Sequence, residues 1–186
     1  FTFNSDIFIP VSDTFIPVSD TSVSMSNYLE NLSVTHSINL DIGAKFFDTY
    51  FTPNDISRIQ QNLPAPVDGV RLTLNEYGDE LTNILKPNEK TIVIYPVFTS
   101  AAYSEPGFYT YFGGNCDESC ITNLSFENPQ FKYTSSGLTT QILYLLGYDF
   151  ITDIDVDKNP EILQNYDTVI LLHNEYVTQK EFSAIT

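Results

Sequence analysis

Basic residues are scarce in this chain: 8 Lys and Arg stand against 24 Asp and Glu over 186 residues, a formal net charge of −16. The acidic side chains are spread along the chain with no long single-sign block. Such a surface repels phosphate backbones and anionic headgroups, which disfavours nucleic acid and membrane-surface binding, and it attracts cations, divalent metals included. No apolar run approaches the ~18 residues that span a bilayer, so no membrane span is expected. A glycine loop of the phosphate-cradling kind, a His-Glu-x-x-His pair and a basic aromatic stripe are all missing, which sets those functions aside. Tryptophan is absent too, yet 12 Tyr, 14 Phe and a 42% hydrophobic content suit a globular chain. The length allows one domain plus a tail, or two small units.

Only two cysteines occur, Cys116 and Cys120, within Asn-Cys-Asp-Glu-Ser-Cys. Two thiols do not complete a zinc site, and acidic neighbours raise a thiol pKa, so a disulfide closing a tight loop is expected in place of a nucleophile or a metal centre. The sequons Asn31-Leu-Ser33 and Asn123-Leu-Ser125 are glycosylation acceptors outside the cytoplasm, and a chain that begins on Phe1 instead of Met reads as processed or cut. With the cysteine pair, these features point to an extracytoplasmic protein, secreted or at the cell surface.

The first 26 residues carry a duplication, Asp6-Ile-Phe-Ile-Pro-Val-Ser-Asp13 and then Asp13-Thr-Phe-Ile-Pro-Val-Ser-Asp20. Pro10 and Pro17 interrupt any helix, and the β-branched and aromatic neighbours favour extended chain, so 1–26 reads as an arm. Such an arm is either a flexible leader or a docking element, pairing through residues 1–20 with another copy or a surface-protein partner. Residues 27–88 read as a mixed α+β extension. Thr35–Asp41 alternates like a half-buried strand, and Thr52 before Pro53 opens a helix toward Leu63. The Leu63-Pro-Ala-Pro66 cluster marks a boundary, and a second helix is expected over Leu72–Leu85, ending before Pro87.

From Lys90 the pattern is regular. Thr91–Phe98 reads as a strand, Ala101–Asn128 as a long Gly-, Tyr- and Ser-rich insertion, and Ser135 or Ser136 caps a helix that Gly147 ends. Then follow a strand at Tyr148–Thr152, a helical turn at Pro160–Gln164, an apolar strand at Thr168–Leu172, and a helix opened by a Thr178-x-x-Glu181 capping box. That order implies an α/β layer with a parallel sheet, in which Thr168–Leu172 has the composition of a strand buried on both faces. The carboxyl end of that strand delivers His173, Asn174 and Glu175, at the place where open α/β sheets bind ligands.

The stretch Leu146-Gly-Tyr-Asp-Phe-Ile-Thr-Asp153-Ile-Asp-Val-Asp157, continuing through Tyr166-Asp-Thr-Val-Ile-Leu-Leu-His173-Asn-Glu175-Tyr176, resembles the class I glutamine amidotransferase-like domain. More narrowly it is similar to the C-terminal domain of the N,N-dimethylformamidase large subunit, where an aspartate-rich turn precedes a strand ending in Gly-His-Asp-Glu-Tyr. Ile92–Tyr103 is similar to that family's earlier strand, which closes on Ala-Tyr. The resemblance covers residues 90–186, and it implies a flavodoxin-like parallel sheet within a domain spanning 89–186. Leu172 stands where the family pattern has glycine and Asn174 where it has aspartate. The chain also stops at Thr186, just inside a helix, so a fragment or a partner-completed domain is expected.

By that resemblance Glu175 would be a carboxylate ligand of an iron ion, Tyr103 a phenolate ligand, and His173 the acid/base group, with no position assigned to a second tyrosine. The competing reading has His173 and Glu175 merely bonding loop amides. A glutamine-amidotransferase reaction is disfavoured, since no cysteine sits on a Gly-x-Cys-x-Gly elbow. Asp153-x-Asp155-x-Asp157 resembles the start of a calcium loop, but Lys158 and Gln164 occupy its glycine and bidentate-glutamate positions. A solvated acidic turn is the default there, with adventitious Ca²⁺ at Asp153, Asp155 and Asp157 the alternative. Two functions are therefore expected: a noncatalytic surface or filament protein that assembles through its arm, which is preferred, or an iron-dependent amide hydrolase.

Overall fold

A computed structural model of the protein describes residues 36–63, 69–122 and 135–186, and within them the chain builds two three-stranded sheets. The arm at 1–26 and both sequon asparagines, Asn31 and Asn123, lie outside the described residues. So do residues 64–66 of the proline cluster.

The first sheet is antiparallel, in the order β1 (Ile38–Asn39), β2 (Phe47–Phe51), β3 (Arg71–Leu74). Of the strand expected over Thr35–Asp41, Thr35 lies outside the described residues, and two residues, Ile38 and Asn39, form strand facing Phe51 and Tyr50. Helix α1 (Pro53–Gln60) starts where its sequence signals place it. Thr52 is extended, its Oγ accepts from Asp55 N at 3.1 Å, and Pro53 occupies a first-turn position where no amide donor is needed.

The helix expected over Leu72–Leu85 is half wrong. Arg71–Leu74 is strand, and α2 begins only at Gly78, running to Ile84. The backbone of β3 is claimed from two sides: β2 pairs with one edge, and on the other the Gln141 side chain takes the place of a peptide group. Its Oε1 accepts from Leu72 N at 2.9 Å and its Nε2 donates to Val70 O at 2.6 Å. Long-range pairing of this kind overrides helical spacing. Gly78 then lets α2 start tight against β3, because a Cβ there would lie 2.6 Å from Leu74 Cβ.

The second sheet is parallel, ordered β5 (Asp149–Thr152), β4 (Thr91–Tyr95), β6 (Thr168–Leu171). All five residues of β4 are buried. Among the described residues strand β6 pairs with β4 alone, and it is exposed at Thr168 and Leu171, so the strand buried on both faces is β4, and the expectation for Thr168–Leu172 is corrected. An apolar run reports burial but does not say which strand lies centrally. Pro96 ends β4, and Val97 and Phe98, expected as strand, open α3 (Val97–Ala102). The insertion holds α4 (Phe108–Phe112) and α5 (Ser119–Thr122), and the Cys116–Cys120 disulfide forms as expected.

Helix α6 (Ser135–Leu145) ends on Gly147 at φ +85°, with Gly147 N bonded to Tyr144 O at 2.9 Å and Tyr148 N to Leu143 O at 3.0 Å, the paired bonds of a left-handed glycine cap. Ile92 and Ile94 of β4 pack with Val156 and Leu163 into a buried cluster beneath α7 (Asp153–Lys158), the 3₁₀ helix Pro160–Asn165 and α8 (Gln179–Ile185). Among the described residues no helix is long and apolar enough to cross a membrane.

The acidic turn is also corrected: it is helix α7. Thr152 Oγ accepts from Asp155 N at 3.2 Å, and Asp155 Oδ2 accepts from Thr152 N at 2.9 Å, a reciprocal cap. Asp153 is fully buried, whereas Asp157 faces Lys180 Nζ at 3.9 Å. The three carboxylates serve three separate partners, so the structure does not bring them together as a calcium loop.

Replacing Gln141 by Leu keeps most of its volume and strips the Val70 carbonyl and Leu72 amide of their partner. Each orphaned group costs about 1–3 kcal/mol, so urea unfolding of Q141L is predicted to show a loss of about 2–5 kcal/mol. A loss below about 0.5 kcal/mol, the scale of a neutral surface change, would mean that the side chain does not close the β3 edge.

Candidate functional site

In the order β5-β4-β6, the chain leaves β4 for a neighbour on one side and returns past it to a neighbour on the other. The carboxyl ends of β4 and β6 therefore flank the crevice where connections diverge, the usual ligand position of such sheets. Two segments meet there: α3 with the residue that follows it, Tyr103, and the loop Leu172–Thr178.

Leu172 is buried and anchors the loop, its carbonyl accepting from Ser136 Oγ at 3.1 Å and its amide donating to Asn174 Oδ1 at 3.0 Å. His173 then takes φ +54°, a conformation uncommon for a side chain with a Cβ and found where surrounding bonds over-determine the backbone. The left-handed residue is the histidine itself, so no glycine is required before it. The determinant from the other segment is Thr99, which is buried on α3. Its Oγ accepts from Glu175 N at 3.0 Å and from Tyr176 N at 3.1 Å.

This backbone brings together the three residues that the sequence singled out. The Tyr103 hydroxyl donates to Glu175 Oε2 across 72 positions of chain, and His173 Nε2 lies 3.4 Å from the same oxygen. Tyr109 stacks on Tyr103 with ring centroids 5.1 Å apart, and Tyr176 meets it edge-on at 5.7 Å and Phe108 at 4.6 Å. The hydrogen bond to Glu175 chiefly, with burial and the neighbouring Tyr176 and Glu175, holds the Tyr103 phenol far above its ordinary pKa. Burial raises that of Tyr176. The cluster is thus a protonated phenol on a carboxylate, half open to solvent, with an imidazole beside it. The reading in which His173 and Glu175 only bond loop amides does not describe these contacts, since it is the Thr99 hydroxyl that receives the loop amides.

Beneath the loop lie residues that sequence reasoning missed. Asn174 Nδ2 donates to Glu181 Oε1 at 3.1 Å, and Asp153 Oδ2 accepts from Phe98 N at 2.9 Å on α3. Thr178 caps α8 as expected, accepting from Glu181 N at 3.1 Å, but the Glu181 side chain does not complete the box: it is fully buried and turned to Asn174. Burial, opposed by that bond and by the Thr178 backbone amide and reinforced by the Asp157 charge, raises its pKa to about 7. Thr99 and Tyr176 lie inside the stretches Ile92–Tyr103 and His173–Tyr176 already in view, but no local pattern marked their roles. An apolar groove of about 620 Å³, lined by Leu163, Val169, Lys180 and Ala184, opens elsewhere, between the 3₁₀ helix and α8. The disulfide takes no part in the cluster. Among the described residues no group of three or more His, Cys, Asp and Glu converges, so any metal held here relies on phenol oxygens.

In T99V, a near-isosteric change, the amides of Glu175 and Tyr176 lose their acceptor. Their hydrogen-exchange protection is predicted to fall about 5- to 100-fold, matching the ~1–3 kcal/mol of an unmade buried bond, while amides of β4 keep theirs. Unchanged protection at both amides would mean that Thr99 does not pin the loop.

No family model matches the chain, and no curated protein or solved structure does either.

Proposed function

We propose that the protein is a metal-assisted hydrolase of amide C–N bonds, built on the first three strands of a flavodoxin-like, amidotransferase-type layer and acting outside the cytoplasm. The observation that carries the reading is the meeting of Tyr103, Glu175 and His173 at the carboxyl ends of β4 and β6. The strand order supports the same reading, being the second-first-third order in which such sheets begin. The disulfide supports the location.

The donor set suits a hard cation such as ferric iron. Glu175 supplies a carboxylate, Tyr103 a phenol in contact with it, and Tyr176, whose ring meets that of Tyr103 edge-on, offers the second phenol that the sequence left without a position. A cation held there supplies Lewis acidity, lowering the pKa of water and polarising an amide carbonyl. The rest falls to the chain's own groups. To ligate a cation Tyr103 would have to lose to solvent the proton it donates to Glu175, which would make loading pH-dependent. His173, about half exposed and beside Glu175, is placed to take a proton from water and return it to the leaving amine. The packed rings of Tyr103, Tyr109, Tyr176 and Phe108 form one wall of the site. The alternative reading, assembly through residues 1–20, draws on chain outside the described residues, and no observation of the fold favours it.

Purified protein loaded with ferric iron is predicted to bind one equivalent and to show a visible phenolate-to-iron absorption that is lost or reduced in Y103F and lost in E175A. On short N-alkyl amides, H173A is predicted to keep the metal and lose at least about 100-fold in kcat/KM, the low end for a general acid/base. A protein that takes up no iron with its tyrosines intact, or that turns over amides equally well as Y103F, would contradict the assignment.

A further inference from the structure

We propose that Asp153 and Glu181 form a proton-operated latch beneath the site: a neutral Glu181 carboxyl holds α8 and the loop Leu172–Tyr176 against α3, and its ionisation releases them. Both side chains are fully buried, on α7 and α8. Asp153 is the better prepared of the two to carry charge, since its Oδ2 accepts from Phe98 N at 2.9 Å and its Oδ1 from Ile154 N at 2.9 Å. Glu181 has one side-chain partner, the Asn174 amide on Oε1, while its Oε2 has none. A buried carboxylate oxygen without a donor is costly when ionised and far less so as a neutral acid, so the proton of the pair rests on Glu181.

The surroundings reinforce that placement. Asp153 and Asp157 of α7 both repel a charge on Glu181. Lys180 of α8 lies 3.9 Å from Asp157 and is largely exposed, so it offsets little of that repulsion. Glu161 of the 3₁₀ helix is exposed, and His173 and Glu175, on either side of Asn174, are about half exposed and face each other. No buried cation among these groups stands ready to receive an ionised Glu181.

The latch grips both halves of the site. Asp153 fixes the start of α3, which carries Thr99 and leads to Tyr103, and Glu181 fixes Asn174, which closes the loop on Leu172 N. A charged Glu181 is relieved by moving α8 away from α7, and Asn174 loses its acceptor with it. The folded-state pKa of about 7 lies above the ordinary 4.5. The folded protein therefore holds a proton that the unfolded chain has released, and the stability this brings is complete below 4.5 and lost as pH rises through 7. Burial pushes Asp153 upward as well, but the Phe98, Val97 and Ile154 amides oppose that push and favour its charged form.

Infrared spectra of the full chain are predicted to contain a carboxylic-acid C=O stretch that titrates near pH 7 and is missing in E181Q. Across the window from 4.5 to about 7, wild type is predicted to lose melting temperature and amide protection at Glu175 and Tyr176 as pH rises, whereas E181Q stays level. In D153N, which removes one repelling charge, the C=O midpoint falls below that of wild type, and this arm decides the matter if E181Q does not fold. An E181Q protein with the wild-type pH slope, or a D153N midpoint equal to that of wild type, would overturn the latch.

Discussion

The arrangement of this molecule depends on one strand being paired on both sides. β4 lies between β5 and β6 with every residue buried, and its parallel register with β6 sets Ile94 opposite Leu171. That pairing fixes where the two strands stop, and hence where α3 and the loop after β6 begin. Tyr103 and Glu175, remote in the chain, are brought to hydrogen-bonding range by this geometry together with the Thr99 bonds to the loop. Hydrophobic burial of Ile92 and Ile94 against Val156 and Leu163 keeps the sheet from shearing.

Around that sheet, buried polar side chains do the joining. Gln141 ties α6 to the antiparallel sheet, Thr99 ties α3 to the loop, Asp153 ties α7 to α3, and Glu181 ties α8 to Asn174. Each is nearly inaccessible to solvent. Apolar contacts tolerate sliding, whereas a buried amide or carboxylate is satisfied in one arrangement only, so such groups specify register more than they add stability. Glu181 departs from the pattern by leaving an oxygen without a donor, which is why its protonation state matters to the loop above it.

Much of this was legible in the sequence wherever the information was local. Thr52-Pro53 located α1, Gly147 closed α6, and the apolar stretches at Thr91 and Asp149 gave parallel strands. His173, Glu175 and Tyr103 were singled out on strand-end position and resemblance, and the fold sets them in contact, though their chemistry stays a proposal. What was misread was decided by distant partners. Arg71–Leu74 is strand because β2 and Gln141 claim its backbone. Thr168–Leu171 has the composition of a central strand and lies at the edge of the sheet that the described residues form. The acidic run at 153–157 looks solvated until α3 and α8 are placed over it, and Glu181 looks like half of a capping box until Asn174 reaches it. No local spacing carries those facts.

A common site at the ends of β4 and β6 requires the contact between Tyr103 and Glu175, and a double-mutant cycle of Y103F and E175Q in urea unfolding tests that contact most directly. The two substitutions are predicted to be non-additive, with a coupling of at least about 0.5 kcal/mol, as for residues in one hydrogen-bonded network. Additivity within about 0.3 kcal/mol, as for independent sites, would mean that the two side chains do not meet and that the ends of β4 and β6 do not assemble a common site.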